Sequence, residues 1–164
     1  MIKVGERLPP ATFRVVVDGA MKPRTTDEIF KGKRVVLVGM PGAFTPTCHK
    51  NHLPGFLTNA EKIMAKGVNH IAVTAVNDHW VMHQWSQSTG GGNKIEFLAD
   101  PNAEFVRALG LEFDATGGLG GVRSRRYAML VDDGVVKVLN IEEQAGKAEI
   151  TSAEIGRASC RERV

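Results

Sequence analysis

The chain has 164 residues, 43% of them hydrophobic and 24% charged, and no apolar stretch approaches the ~20 residues that a membrane-spanning helix needs, so one globular domain with a single core is expected and no membrane association. The net charge of +3 is unevenly placed: residues 155–164, IGRASCRERV, hold three arginines against one glutamate, which leaves the body close to neutral and gives no electrostatic reason to expect nucleic-acid binding. Two cysteines, Cys48 and Cys160, with no CxxC pair, exclude a disulfide framework and a thioredoxin-type dithiol; Met1 to Pro10 lacks the apolar core of a secretory signal, and a cytoplasmic protein is expected.

In chain order, an entry loop ends at Pro9-Pro10, and Thr12 to Val17 (TFRVVV) reads as a strand from its β-branched and aromatic content. Asp18-Gly19 is a turn signal. Thr26 to Phe30 is expected as a short helical turn capped by Thr25 or Thr26. Arg34 to Met40 (RVVLVGM) is a near-continuous apolar run, the pattern of a central strand covered on both faces. Thr47 to Lys66 follows as a helix, with Leu53, Phe56, Leu57, Ala60, Ile63 and Met64 at helical spacing, a kink at Pro54 and Gly67 just past its end. His70 to Val76 is a second buried strand. Asn77 or Asp78 caps a helix running to about Ser88, with Val81, Met82 and Trp85 inward. Ile95 to Leu98 is a third such strand, and Asp100-Pro101-Asn102 starts a helix that ends at Leu109-Gly110, with Pro101 in the first turn. Phe113 to Val122 is glycine-rich and expected to be an exposed loop. Tyr127 to Val131 and Val135 to Ile141 flank Asp132-Asp133-Gly134, a strong hairpin signal. Ser152-Ala153-Glu154 resembles a helix start that the following residues do not continue. Alternating strands and helices closing on a hairpin predict an α/β fold, a mixed central sheet flanked by helices.

The chemistry concentrates in Gly39 to Phe56, GMPGAFTPTCHKNHLPGF. A buried strand runs into an irregular loop, and a helix begins near Cys48. Unpaired N–H groups and a partial positive charge at a helix N-terminus favour a thiolate there over a thiol. Taken alone, a buried cysteine is more often an inert small hydrophobe, so this placement makes a reactive Cys48 a hypothesis. Cys48, His49 and His52 offer an incomplete zinc ligand set, as do His79 and His83, and HExxH is absent, so no metal is expected.

PGAFTPTC at 41–48 resembles the P-x-x-x-T/S-x-x-C motif of the peroxiredoxins, and with HLPGF at 52–56 it is similar to the peroxiredoxin-five, type II (atypical) subfamily. The resemblance continues through VNDHWVMHQW at 76–85, FLADPNAEFVRALGL at 97–111 and RSRRYAMLVDDGVVKVLNIE at 123–142, and covers residues 1–154. It implies a thioredoxin-like fold and a thiol peroxidase that reduces hydrogen peroxide and small alkyl hydroperoxides through a cysteine sulfenic acid. On the matching positions, Cys48 is the attacking cysteine, Thr45 contacts the peroxide, Pro41 shapes and shields the site, and Arg126, directly before Tyr127, supplies positive charge; Arg123 and Arg125 compete for that place by spacing. Gly42, Phe44, Thr47 and His52 are expected around the substrate, His52 with a plain surface or helix-packing role as the equal alternative. The family's second-cysteine positions fall near Val73 and Ile150, and neither is cysteine here. The resemblance therefore implies a one-cysteine route with no bound cofactor and an external thiol, glutathione with or without glutaredoxin ahead of thioredoxin. A homodimer is implied likewise. The rival from another class is a redox sensor or chaperone-like interaction protein switched by Cys48 oxidation. Residues 155–164 depart from the family's apolar-faced final helix and are expected to be foreign to the fold, and Cys160 with them.

Overall fold

The computed structural model describes residues 1–144 and 146–153. The expected continuation from Ser152-Ala153 into a helix, the polar tail at 155–164 and Cys160 lie outside the described residues. Nine strands and four α-helices run in the order β1 (Thr12–Val17), β2 (Ala20–Thr25), α1 (Thr26–Phe30), β3 (Arg34–Gly39), a π-helical turn (Cys48–His52), α2 (Leu53–Ala65), β4 (His70–Ala75), α3 (His79–Thr89), β5 (Glu96–Ala99), α4 (Glu104–Leu109), β6 (Glu112–Asp114), β7 (Val122–Ser124), β8 (Tyr127–Asp132) and β9 (Val135–Ile141) among the described residues. Seven strands form one mixed sheet in the order β2-β1-β5-β4-β3-β8-β9. β3, β4 and β5 are parallel, and β8 joins β3 antiparallel. No described helix is long and apolar enough to cross a membrane.

The apolar run of β3 is explained by its place near the middle of the sheet. Val36 and Val38 enter one core with Phe56, Ala60 and Ile63 of α2 and Met82 and Trp85 of α3. Val35 and Leu37 enter a second core on the opposite face with Phe30 of α1 and Phe105, Val106 and Leu109 of α4. Alternate side chains point to opposite faces, and helices cover both, so every position is apolar. Both hairpins turn on two residues with positive φ, Asp18-Gly19 between β1 and β2 and Asp133-Gly134 between β8 and β9, which matches the twist of the strands they join.

Three segments away from the Cys48 loop differ from the sequence expectation. β2 is an unexpected strand: Pro23 lies opposite Arg14, and an edge strand tolerates a missing ladder donor. α4 begins at Glu104, not at Pro101, because Ala103 turns into the left-handed region and Asp100 caps from a distance, its carboxylate accepting from the N–H of Phe105 (3.2 Å) and Val106 (3.1 Å). The glycine-rich stretch after Phe113 is not loop throughout; β6 and β7 pair across it, Phe113 opposite Arg123.

The register of β3 brings the hairpin to the site loop. Gly39, last in β3, pairs with Tyr127, first in β8, so Arg126 sits beside the start of the Met40–Thr47 connection. The Tyr127 ring lies over Gly39, and a Cβ there would collide with its Cε1, Cζ and Cδ1. Tyr127 is fully buried. Gly39→Ala is therefore expected to destabilise the protein by about 3 kcal/mol through overpacking, read as a lowered urea midpoint; an unchanged midpoint would mean the ring is not held where it is seen.

Candidate active site

The helical path after the β3 loop starts at Pro46, where a missing N–H costs nothing, and the Thr45 carbonyl accepts from His49 N–H at 2.8 Å. Cys48 thus lies in the first turn. The expected regular helix is instead a π-helical turn, Leu53 N–H reaching back five residues to the Cys48 carbonyl, before α2 begins. Pro54 is the physical reason: it has no N–H to give and its ring crowds the carbonyl four residues back, so the ladder widens ahead of it. Cys48 and His52, four apart, share the inward face of this turn.

Cys48 is fully buried, and so is Arg126 at 1% exposure. The guanidinium donates from Nη2 to Cys48 Sγ at 3.1 Å and from Nη1 to His52 Nδ1 at 3.0 Å. A buried arginine needs acceptors for its fork, and the sulfur and the imidazole supply two. Because a guanidinium only donates, Nδ1 of His52 is the acceptor and carries no proton. The proton sits on Nε2, which donates to the Thr151 carbonyl at 2.7 Å. Burial pushes the His52 imidazole down to about 4; the bond to Thr151 works upward, the Arg126 charge downward and the Glu142 charge upward. His52 is therefore neutral near pH 7.

The loop around this trio is tightly specified. Pro41 and Gly42 are buried, and the Thr45 hydroxyl donates to the Gly42 carbonyl at 2.8 Å. A Cβ on Gly42 would come within 3.1 Å of Thr45 Cγ2, so glycine lets the loop close on itself. Asn77, just after β4, pins the next residue by accepting from Ala43 N–H at 2.9 Å. Phe44 has a positive φ of 63° and is 46% exposed, its ring 5.3 Å from His49 and 6.2 Å from Trp85. The Thr47 hydroxyl donates to the Gly146 carbonyl at 2.9 Å.

The structure therefore brings together Cys48, Arg126 and His52, with Pro41, Gly42 and Thr45 in the adjoining loop. Phe44 and Thr47 face other partners. Arg126 is separated from its competitors: Arg123 donates to the carbonyls of Gly120, Val76 and Leu119, and Arg125 is exposed. His49 accepts from Trp85 Nε1 at 3.0 Å, and both ring nitrogens of His52 are engaged. Among the described residues no three His, Cys, Asp or Glu side chains gather as a metal site requires. Sequence reasoning missed Glu142 and the backbone at 149–151, which hold Thr151 in place. A glutamate at a strand end and main-chain N–H groups have no local signature.

The chain matches the Redoxin family over residues 3–155. It is 50% identical over 159 residues to peroxiredoxin-2E-2, chloroplastic, of Oryza sativa subsp. japonica, covering 93% of this chain and 70% of that protein. Among solved structures, reduced Prx3 of Vibrio vulnificus in complex with H2O2 superposes with a TM-score of 0.91 at 46% identity, covering 97% of this chain and 99% of that one. Peroxiredoxin 5 of Alvinella pompejana superposes with a TM-score of 0.85 at 36% identity, covering 98% and 99%. The expected cytoplasmic location does not stand, because the rice relative is a chloroplastic protein. The lack of a secretory core at the N-terminus does not by itself specify a compartment.

Proposed function

We infer, since this chain belongs to the peroxiredoxins, in their type II, peroxiredoxin-five-like subfamily, and is a thiol peroxidase acting on peroxide, that Cys48 is the residue peroxide oxidises. The single observation that supports this most is the Arg126 Nη2 donor 3.1 Å from Cys48 Sγ. A fixed positive charge and an N–H face the sulfur, and the nucleophile in this chemistry is a thiolate. The thiolate attacks one peroxide oxygen, an S–O bond forms as the O–O bond breaks, and the departing oxygen takes a proton to leave as water or an alcohol. Two electrons pass from sulfur to the peroxide, and a sulfenic acid remains.

The surrounding residues fit this in-line displacement. Arg126 offers N–H groups where charge develops on the oxygens. The Thr45 hydrogen is held by the Gly42 carbonyl, so its oxygen presents lone pairs to a peroxide O–H. Pro41 contributes a buried apolar wall with no N–H to compete. Hydrogen peroxide and small alkyl hydroperoxides fit this reading, and the Vibrio relative in its reduced form holds H2O2. No bound cofactor is required, because sulfur carries both electrons.

Return to thiolate needs two reducing equivalents. Cys48 is the one free cysteine among the described residues. The positions where the resemblance places a second cysteine hold a buried Val73 and an exposed Ile150. We therefore assign an external thiol: one glutathione condenses with the sulfenic acid, releasing water and forming a mixed disulfide, and a second thiolate, from glutathione or glutaredoxin, displaces Cys48. A homodimer belongs to the same reading, with exposed Phe44 in the site loop and exposed Leu119 beside Gly42 of that loop. After one equivalent of peroxide, mass spectrometry is expected to find Cys48 one oxygen heavier, as the sulfenic acid, or, with dimedone present, as the dimedone thioether formed with loss of water. A Cys48–Cys160 disulfide would sink the one-cysteine route. Faster steady-state turnover with thioredoxin than with glutathione and glutaredoxin would overturn the choice of reductant.

A further inference from the structure

Glu142 follows β9, with only 7% of its surface exposed. Its Oε1 accepts from the backbone N–H of Glu149 (2.6 Å), Ile150 (2.7 Å) and Thr151 (3.1 Å) and from the Thr151 hydroxyl (3.1 Å). Three successive N–H groups converging on one oxygen are an anion-binding concavity, here filled by the chain's own carboxylate. Burial opposes the charge, but the bonds from Thr151, Glu149 and Ile150 outweigh it and hold the carboxyl below its ordinary range. Segment 149–151 is thereby clamped, with Thr151 fully buried.

The clamp has a consequence for the cysteine. It fixes the Thr151 carbonyl 2.7 Å from His52 Nε2. A carbonyl only accepts, so that contact selects the imidazole tautomer with hydrogen on Nε2 and leaves Nδ1 bare. Nδ1 then accepts from Arg126 Nη1, and the other arm of the same planar fork donates to Cys48 Sγ. Each link is dictated by the donor or acceptor character of its neighbour. Glu142 N–H also donates to the Arg126 carbonyl at 2.9 Å, which ties the clamp to the arginine's own backbone.

We propose that Glu142 is a positioning residue for the peroxidase reaction: by clamping segment 149–151 it sets the tautomer of His52, and through His52 the aim of Arg126 at Cys48. This rests on the assignment of Cys48 and Arg126 made above. His52, expected at the substrate, is in this account the link between the clamp and the arginine. With the clamp open, His52 is free to carry its proton on Nδ1, where it would confront the Arg126 N–H, or to take a second proton.

Among the described residues, the charged groups acting on His52 are Arg126 before β8 and Glu142 after β9, with titratable Cys48 on its own turn sharing the Arg126 fork. Burial is the main cause of its low protonation range. Opening the clamp hydrates the ring and returns it toward the ordinary histidine range near 6.5. The sign follows. Between about pH 4 and 6.5 the intact protein keeps His52 neutral and accepting, whereas an opened variant protonates there, and Nδ1, then carrying a hydrogen, can no longer accept from Arg126 Nη1.

The test uses the full chain labelled with 15N-histidine. NMR of the unmodified protein is expected to show His52 as the Nε2–H tautomer; the Nδ1–H tautomer would overturn the proposal outright. In Glu142→Ala that preference is expected to be lost, and the second-order rate with hydrogen peroxide to fall about ten- to a hundred-fold, the scale of misplacing a catalytic group by about an ångström. A new acid limb should appear in the ordinary histidine range and vanish in Glu142→Ala/His52→Asn, where asparagine supplies an uncharged acceptor. Glu142→Gln, which keeps an accepting oxygen, should retain most of the rate. A lowered melting temperature with tautomer, rate and pH profile unchanged would make the clamp merely structural and overturn the proposal. If Glu142→Ala does not fold, His52 variants decide. His52→Asn, which retains the acceptor toward Arg126, should outpace His52→Gln, which retains only the link to Thr151, and the reverse order refutes the relay. The tautomer measurement involves no peroxide, so it stands or falls separately from the role of Cys48.

Discussion

Cys48→Ser is expected to bring peroxide consumption down to the uncatalysed background, while Cys160→Ser leaves it largely intact. Cleaving an O–O bond by in-line attack needs a polarisable anion, and a serine hydroxyl is not ionised near neutral pH whatever donor it faces. The substitution is nearly isosteric, in a fully buried site where Arg126 Nη2 already offers a hydrogen bond. The serine oxygen accepts that bond, so stability should change by no more than about 1 kcal/mol. Loss of activity would then be loss of the nucleophile and not of the fold. The measurement is disappearance of hydrogen peroxide with excess thiol, beside a urea melt of each variant. Peroxide turnover that survives in Cys48→Ser would overturn the assignment.

Where the chain has a strong local cause, its structure was legible. β3 was read from an apolar run because both of its faces are covered, and the Asp133-Gly134 hairpin from residues that tolerate the positive φ it demands. Thr25 was one of two candidate caps, and it forms a full capping box with Glu28. The misses have causes at longer range. β2 is a strand because β1 folds back on it, not because AMKPRT favours extension. The start of α4 is set by Asp100 reaching Phe105 and Val106, which displaces Pro101 from the helix. β6 and β7 have three residues each, and the loop between them is tied down by Arg123 through the carbonyls of Leu119 and Gly120.

The site divides in the same way. Pro41, Thr45 and Cys48 lie within one short motif, and local sequence carries them. Arg126 comes from 78 positions further along, and three arginines within four residues defeat spacing. What selects Arg126 is the pairing of Gly39 with Tyr127, a register that local sequence does not reveal. Glu142 and segment 149–151 were invisible, because the contacts that matter there are made by backbone N–H groups. For His52 the local sequence leaves substrate contact and packing open; its two hydrogen bonds give it a third position, between the Thr151 carbonyl and Arg126.

Arg126→Lys is expected to lower the second-order rate with hydrogen peroxide by about 10²–10³-fold, the range found for removing one preorganised donor at a site of developing charge. The change keeps the formal charge, so a purely coulombic role predicts little effect. The geometry says otherwise. The two Arg126 nitrogens reach Cys48 Sγ at 3.1 Å and His52 Nδ1 at 3.0 Å from one rigid plane. A lysine ammonium is a single point on a flexible stem, and whichever partner it takes it leaves the other short of a donor. If it goes to Nδ1, the thiolate and the departing oxygen lose their N–H; if it goes to Sγ, a buried imidazole nitrogen is orphaned. The arginine is 1% exposed, so no water stands ready to replace the missing bond. Arg126→Ala should cost the same catalytic factor and, in addition, about 3–5 kcal/mol of stability, because it opens a cavity and strands the buried partners of a removed charge. Stopped-flow rates and urea melts of the two variants separate the contributions. Arg126→Lys with near-native rates would show that charge alone suffices, and the bidentate role of Arg126 would have to be abandoned.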